Sequence, residues 1–191
     1  MKIAVLSGTS RAGNNTLRLA KAIARLHRNK NHEVEVVDFQ HYDIPFFNGP
    51  PLDENNPTSF QKNLLTSWAD ADLVYILSPE YNWLITPELS NMCNHYSGAN
   101  HAHLYDNKVF AFGGVSSGIG GRLPTMQLSS VFEKLIFYLN KQSVCSPNKF
   151  ESHYTPQELD EDGNFIQESG FDQRLQNFVD YSTQLCIRFK Q

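Results

Sequence analysis

The sequence predicts one α/β domain in which five parallel strands form a single sheet covered by helices on both faces. Apolar segments of strand length alternate along the chain with longer segments whose apolar residues recur at helical spacing, and this alternation is typical of successive β–α–β units. The length of 191 residues suits one domain, and no internal repeat or low-complexity tract divides it. We therefore expect residues 1–191 to form a single domain.

The predicted strands differ in how continuously apolar they are. The first and third are apolar almost throughout, as strands buried on both faces of a sheet should be, whereas the second alternates. Five strands that are each followed by a helix suit a doubly wound sheet with the strand order 2-1-3-4-5. The predicted strands are Lys2–Leu6, Glu33–Asp38, Leu73–Leu77, Lys108–Phe112 and Gln142–Cys145.

Helix start signals follow the first three strands. The first helix is predicted from about Asn15 to Arg28, where leucine, isoleucine and alanine recur at helical spacing. Asn56-Pro57 opens the second helix with proline in its first turn, and Thr86 caps the third with Pro87 behind it. Two further helices are predicted in the segments 128–139 and 171–189.

Charge and composition exclude several classes of protein. The net charge of -4 and the pI of about 5.9 do not predict a nucleic-acid partner, because such proteins usually carry a basic stripe. No apolar run approaches the length of a membrane span, and Ile3–Leu6 is too short for a signal peptide. One face of the first helix is basic, and we expect it to be solvated; its residues are Arg18, Lys21, Arg25 and Arg28.

Cysteines and histidines give no signal for a disulfide framework or a metal. Cys93, Cys145 and Cys186 are scattered, which fits a reducing compartment, and we expect a cytoplasmic protein without a membrane partner. His101 and His103 flank a single alanine without a carboxylate cluster, so no metal site is predicted there or at His95. Asp160–Gly163 lacks the ligand spacing of a calcium loop and is predicted to be a turn.

The loop SGTSRAGNNT, residues 7–16, predicts a phosphate site. It joins a buried strand to a helix start, where unpaired N–H groups and the helix dipole favour an anion. Gly8 and Gly13 would let the backbone curl around the anion, and Arg11 adds a planar charged fork. A polar turn with a helix cap would explain Asn14 or Asn15, but not the whole cluster of short donors, which is Thr9, Ser10, Asn14, Asn15 and Thr16.

This loop differs from the two best-known nucleotide loops. Gly8 and Gly13 have the spacing of a P-loop, but Asn14 stands where that loop needs its lysine. The GxGxxG pattern is absent as well. Neither phosphoryl transfer nor a tightly bound dinucleotide is therefore expected.

Two further strand-end loops should join the first, because ligands of doubly wound sheets bind beyond the carboxyl ends of the strands where the strand order reverses. In SPEYNW, residues 78–83, Tyr81 and Trp83 either support a planar heterocycle or fold onto the core. FGGVSSGIGG, residues 112–121, carries five glycines, which indicates either close approach of the backbone to a ligand or a tight turn, with Ser116 and Ser117 as donors.

The order and spacing of these blocks resemble the NADPH-dependent FMN reductase family. The resemblance rests on SGTSRAGNNT, on SPEYN followed by Pro87, Leu89 and Asn91, and on GGVSSGIGG, and the PEYN block is its most diagnostic part. It runs along essentially the whole chain and includes DEDG at residues 160–163. The family is flavodoxin-like and includes flavin, quinone, azo-dye and chromate reductases.

The resemblance implies FMN as cofactor, NADPH or NADH as co-substrate, a small-molecule acceptor, and a homodimer or homotetramer. It places the phosphate at the loop after the first strand, the isoalloxazine at the loop after the third, and the pyrimidine side of the ring at the turn from Gly113 to Gly118. No side chain is assigned a catalytic role, because flavin N5 carries the hydride, while amides near Asn82 and Ser116 would stabilise charge on the ring. The predicted cofactor-binding residues are Thr9, Arg11, Asn14, Asn15, Thr16, Pro79, Glu80, Tyr81, Asn82, Gly113, Gly114, Ser116, Ser117 and Gly118.

Several positions depart from the family pattern. Trp83 stands where the family often has a small residue, Ser90 replaces a usual lysine, and Asn94-His95 replaces a usual Asp-Trp pair. These changes affect nicotinamide access, acceptor choice and subunit contacts. Two other functions remain open: a flavodoxin-like electron carrier served by a partner protein, and a flavin-less interaction module in which Trp83 fills the ring site.

Overall fold

A computed structural model describes residues 1–50 and 52–191, and its central feature is a parallel sheet with the order β2-β1-β3-β4-β5. The predicted strand order and fold class are confirmed. No helix in these two ranges is both long and apolar enough to cross a membrane. The strands are β1 (Lys2–Ser7), β2 (Glu33–Asp38), β3 (Leu73–Pro79), β4 (Val109–Val115), β5 (Val144–Cys145) and β6 (Phe150–Ser152).

The last position in the sheet is occupied by two short strands instead of the single predicted one. Both β5 and β6 pair in parallel with β4, β5 beside Val109 and β6 beside Gly113 to Val115. Pro147 lies between them, and proline has no N–H to donate to a ladder, which accounts for the interruption. Because β6 resumes the pairing, the chain after Ser152 emerges at the same edge as the ends of β3 and β4.

The helices cover both faces of the sheet. In β1, Ile3 and Val5 pack on the face covered by α1 and α6, whereas Ala4 and Leu6 pack on the face covered by α2, α3 and α4. This alternation explains why β1 is apolar at every one of these positions. The helices are α1 (Asn15–Arg28), α2 (Ser59–Asp70), α3 (Pro87–His95), α4 (Arg122–Tyr138), α5 (Thr155–Glu158) and α6 (Phe171–Phe189), with short 3-10 helices at Phe39–His41 and Ala99–Tyr105.

Capping side chains determine where α2 and α3 begin. Thr86 caps α3 as predicted, with Pro87 as the first helical residue. The predicted start of α2 at Asn56-Pro57 is too early, because Thr58 and Gln61 form a reciprocal capping box and the helix begins at Ser59.

The basic face of α1 is not simply solvated, and that expectation was wrong. Arg18 Nη1 donates to the Leu159 carbonyl at 2.9 Å, and Lys21 Nζ donates to the Glu161 carbonyl at 2.8 Å. The turn that supplies these carbonyls lies directly on the helix, since a Cβ on Gly163 would meet Arg18 O at 2.6 Å. The predicted turn at Asp160–Gly163 is confirmed by a 3.1 Å hydrogen bond from Gly163 N to Asp160 O.

A buried histidine, His27, should make the fold sensitive to acid. Its Nε2 lies 2.9 Å from Tyr75 Oη and its Nδ1 lies 3.1 Å from His32 Nδ1. Burial, reinforced by the neighbouring His32 and Lys30, lowers the pKa of His27 from 6.5 to about 3. The unfolded chain therefore binds a proton that the folded chain excludes, so the stabilisation is complete above about pH 6.5 and is lost progressively as the pH falls toward 3.

We expect His27→Gln to remove this part of the pH dependence. In urea denaturation, the free energy of unfolding of the wild type should fall by about 2 kcal/mol more than that of the variant between about pH 6.5 and 4.5. Substitution of the exposed His41 by glutamine is the control and should leave the wild-type slope. Equal slopes for wild type and His27→Gln would contradict the explanation.

Candidate functional site

The three predicted loops border one cleft of about 240 Å³ at the carboxyl edge of the sheet. The cleft lies where the strand order reverses, between the ends of β1, β3 and β4. Its lining contains most of the predicted cofactor-binding residues; Thr9, Asn82, Gly113, Gly114 and Gly118 lie outside it. The lining residues are Arg11, Gly13, Asn14, Asn15, Thr16, Pro79, Glu80, Tyr81, Val115, Ser116 and Ser117.

The first loop presents the N-terminus of α1 to this cleft. Asn14 is the helix cap: its Oδ1 accepts from Leu17 N at 2.7 Å and its Nδ2 donates to Arg11 O at 2.8 Å. The side chain of Asn14 is therefore engaged in the loop itself. The backbone N–H groups of Asn15 and Thr16 belong to the first turn, have no intrahelical acceptor, and remain available to a ligand.

Thr16 provides a test of whether this end of the cleft suits a phosphate. The residue is fully buried, yet its Oγ1 has no hydrogen-bond partner among the described residues. A buried hydroxyl without a partner is unfavourable unless a ligand or water completes it. Together with the free amides and the exposed guanidinium of Arg11, this hydroxyl fits the oxygens of a phosphate group.

Gly8 serves a different purpose from the one predicted. A Cβ at this position would lie 2.4 Å from Leu89 Cδ1 and 2.7 Å from Leu77 O, so the glycine permits α3 and β3 to approach β1 closely. Gly8 is also absent from the lining of the cleft. Gly13, by contrast, has a φ of +61° in the left-handed region, which the turn into α1 requires.

The first loop is held in place by the β3–α3 connection. Thr86 Oγ1 donates to Gly8 O at 2.5 Å, and Tyr81 Oη lies 3.1 Å from Thr9 Oγ1. Ser10 donates to Glu88 Oε1 from its backbone N–H, at 2.8 Å, and from its hydroxyl. The first loop and the β3–α3 connection therefore share one hydrogen-bonded frame.

The second loop is a tight turn at the rim of the cleft. Tyr81 and Leu84 exchange backbone hydrogen bonds of 3.2 and 3.1 Å around Asn82 and Trp83, which have φ of 50° and 67°. Positive φ at both central residues defines a type I′ turn. Trp83 is 69% exposed and is not part of the lining, so its indole does not fill the cleft.

The third loop starts later than predicted, because β4 continues to Val115 and includes Gly113 and Gly114. A Cβ on Gly114 would lie 1.9 Å from Gly121 O, and one on Gly113 would lie 2.7 Å from Leu77 Cδ2. Gly114 is thus required by the backbone of Gly121, whereas the contact of Gly113 is with the end of a leucine side chain that can move. Glu80 Oε2 accepts from Gly121 N at 2.6 Å and holds the far end of the loop.

A fourth loop, residues 152–155, was missed by the sequence analysis. Ser116 N donates to Ser152 O at 2.9 Å, and Tyr154 N donates to Gly118 O at 2.9 Å. The Ser116 amide is therefore engaged and is not available to stabilise charge on a ring, whereas the amides of Asn82 and Ser117 have no partner among the described residues. No local sequence signal predicts this loop, since it meets the loop after β4 only because β6 resumes the pairing with β4.

His95 and His101 lie away from this cleft. His95 Nε2 lies 2.9 Å from Pro45 O, and His101 Nε2 lies 3.5 Å from Glu54 Oε1. In the described ranges, no group of three or more histidine, cysteine or acidic side chains is arranged to hold a metal ion.

The sequence matches the model of the NADPH-dependent FMN reductase family over residues 1–150. The chain belongs to this family. Its members use flavin and a reduced nicotinamide for oxidoreduction, and residues from all three sequence blocks that resemble the family line the cleft described above. No curated protein matches the sequence.

Solved structures support the same fold. The flavoenzyme NAD(P)H:(acceptor) oxidoreductase FerB from Paracoccus denitrificans is similar with a TM-score of 0.71 at 19% identity, over 96% of this chain and 97% of that chain. The apo form of the NADH:FMN oxidoreductase EmoB gives 0.65 at 14% identity, over 96% and 89%. A flavodoxin from the domain Archaea gives 0.58 at 15% identity, with both chains covered completely. At these identities the similarity shows the flavodoxin-like fold.

Proposed function

We propose that the chain binds FMN in the cleft and acts as an NAD(P)H-dependent oxidoreductase that delivers hydride to a small acceptor such as a flavin, a quinone or an azo compound. The observation that carries this proposal is the convergence of three strand-end loops on one cleft, with an unpaired Thr16 hydroxyl and free helix amides at one end. Membership of the FMN reductase family supports it.

The phosphate would lie at the N-terminus of α1. The amides of Asn15 and Thr16 and the Thr16 hydroxyl can donate to its oxygens, and the positive end of the helix dipole favours its charge. Arg11 lines the same end, and its guanidinium can form a charge-assisted hydrogen bond. These groups would fix one end of the cofactor.

The ring would lie between the second and third loops. Pro79, Tyr81 and Val115 line this part of the cleft. The amides of Ser117, which also lines it, and of Asn82, the residue after Tyr81, have no partner among the described residues. Such amides can donate to the polar edge of a heterocycle and stabilise negative charge on it. Bound FMN would supply the hydride-transfer chemistry between a reduced nicotinamide and the acceptor, so no side chain has to act as an acid or a base.

Reduction by a nicotinamide tests this function directly. We expect the purified, FMN-loaded protein to lose its visible flavin absorption when NADPH or NADH is added without oxygen, and to reach the two-electron form without accumulating a one-electron form. Colour that persists with both donors would refute the reductase. A stable one-electron form would favour the carrier, and failure to bind added FMN would favour an interaction module.

We also propose a homodimer or homotetramer in the cytoplasm. Four large apolar side chains of α4 are exposed, namely Leu123, Met126, Phe137 and Tyr138, and exposed apolar surface is typical of subunit contacts. Light scattering that gives the mass of one chain at working concentrations would contradict the assembly.

A further inference from the structure

Two aromatic residues adopt a backbone conformation that their side chains disfavour. In the part of the chain that the structure describes, six residues other than glycine have positive φ, and four of them are asparagines, which enter this region readily. The other two are Trp83, with a φ of 67°, and Tyr154, with a φ of 47°. For bulky side chains the left-handed region is a true outlier, because Cβ crowds the following carbonyl.

Neither outlier is part of the cleft lining, but each lies in a loop that adjoins lining residues. Trp83 occupies the turn that begins at Tyr81, and Tyr154 is bonded through its N–H to Gly118, the residue after Ser117. They belong to different loops, which follow β3 and β6 at the carboxyl edge of the sheet. Strained residues that persist in a fold concentrate at functional sites.

Neither of the two side chains is buried in the core. Trp83 is 69% exposed and Tyr154 is 41% exposed, so much of each ring remains in contact with solvent. An asparagine or a glycine would fit both backbones better. The residue before Trp83 in the same turn, Asn82, is itself an asparagine with positive φ. The backbone conformation therefore does not call for an aromatic residue at either position.

We propose that Trp83 and Tyr154 are specificity-determining residues that contact the ring of a planar, conjugated acceptor of quinone type as it approaches the cleft. The inference rests on the proposed function. The indole offers a flat apolar face for offset stacking, and the Tyr154 hydroxyl can donate to a ring carbonyl. Together they would favour planar carbonyl-bearing acceptors over compact ones.

The test compares Trp83→Gly and Tyr154→Gly with Asn140→Gly. Asn140 has a φ of 52° but follows α4 at the opposite edge of the sheet, so it controls for the backbone change alone. We expect both aromatic variants to melt at or above the temperature of the wild type. The ratio of KM for a quinone to KM for ferricyanide should rise about tenfold in each, the order expected for loss of one aromatic contact, and should not change in Asn140→Gly.

Tryptophan fluorescence gives a second measurement that does not depend on turnover. Trp68 is fully buried and Trp83 is exposed, so the emission lost in Trp83→Gly identifies the Trp83 signal. Titration with the quinone should quench this signal saturably, and the midpoint should move to higher concentration in Tyr154→Gly. Quenching that is not saturable, or a midpoint unaffected by Tyr154→Gly, would overturn the inference whether or not the protein turns over.

The remaining outcomes separate this inference from the proposed function. A wild type whose FMN is not reduced by either nicotinamide would refute the function. A wild type that is reduced, with an unchanged KM ratio in both aromatic variants, would refute only the role of these residues. A clear loss of thermal stability in both variants would show that the rings serve the fold, and dissociation of an oligomer would show that they serve a subunit contact; either result overturns the inference.

Discussion

Replacing Gly114 with alanine is expected to lower the free energy of unfolding by about 3 kcal/mol or more and to abolish FMN binding. The new Cβ would lie 1.9 Å from Gly121 O and 2.6 Å from Gly121 Cα, and both obstacles are backbone atoms. The backbone of Gly114 cannot move away, because it pairs in the sheet with Ser78 of β3 on one side and Glu151 of β6 on the other. Gly121 cannot move away without leaving the N-cap position of α4 and breaking the hydrogen bond from its N–H to Glu80.

Gly118→Ala is the matched control for this prediction. Gly118 lies in the same loop, but a Cβ there would meet nothing within 4 Å and its φ is not positive. We expect it to change the free energy of unfolding by less than about 1 kcal/mol. Urea denaturation, followed by FMN titration of the folded fraction, measures both effects. If the two variants were equally stable, the close contact of Gly114 with Gly121 would be wrong.

Replacing Thr16 with valine is expected to stabilise the FMN-free protein while weakening its affinity for FMN. The substitution keeps the shape of the side chain and removes a buried hydroxyl that has no partner, so the free energy of unfolding should rise by about 1 kcal/mol. If that hydroxyl donates to the phosphate, its loss should raise the Kd for FMN about tenfold.

Thr183→Val controls for the same change at a hydroxyl that has a partner. Thr183 is buried in α6 and its Oγ1 donates to Val179 O at 2.7 Å, so this variant should be less stable by about 1 kcal/mol with unchanged FMN affinity. Denaturation without FMN and fluorescence titration with FMN measure the two quantities. A Thr16→Val protein that binds FMN as tightly as the wild type would exclude Thr16 from the phosphate site.

The sequence alone determined the sheet and the position of the cleft. A strand buried on both faces, such as Leu73–Leu77, is apolar at every residue, and a helix start such as Thr86-Pro87 carries its own cap, so both are encoded locally. Once the strands are known to be parallel, their carboxyl ends must meet at one edge. The convergence of Arg11, Tyr81 and Ser117 follows from that geometry.

The tertiary structure decided which residues are free to act at that edge. Gly8, Gly113 and Gly114 were predicted to serve a ligand; the structure adds that Gly8 and Gly114 lie against backbone atoms of segments distant in the chain. The basic face of α1, predicted to be solvated, is covered by the turn at Asp160–Gly163, and no sequence pattern predicts the loop after Ser152. Hydrophobic periodicity and helix caps depend on residues within a few positions of each other. These contacts join segments far apart in the chain, so no local sequence pattern predicts them.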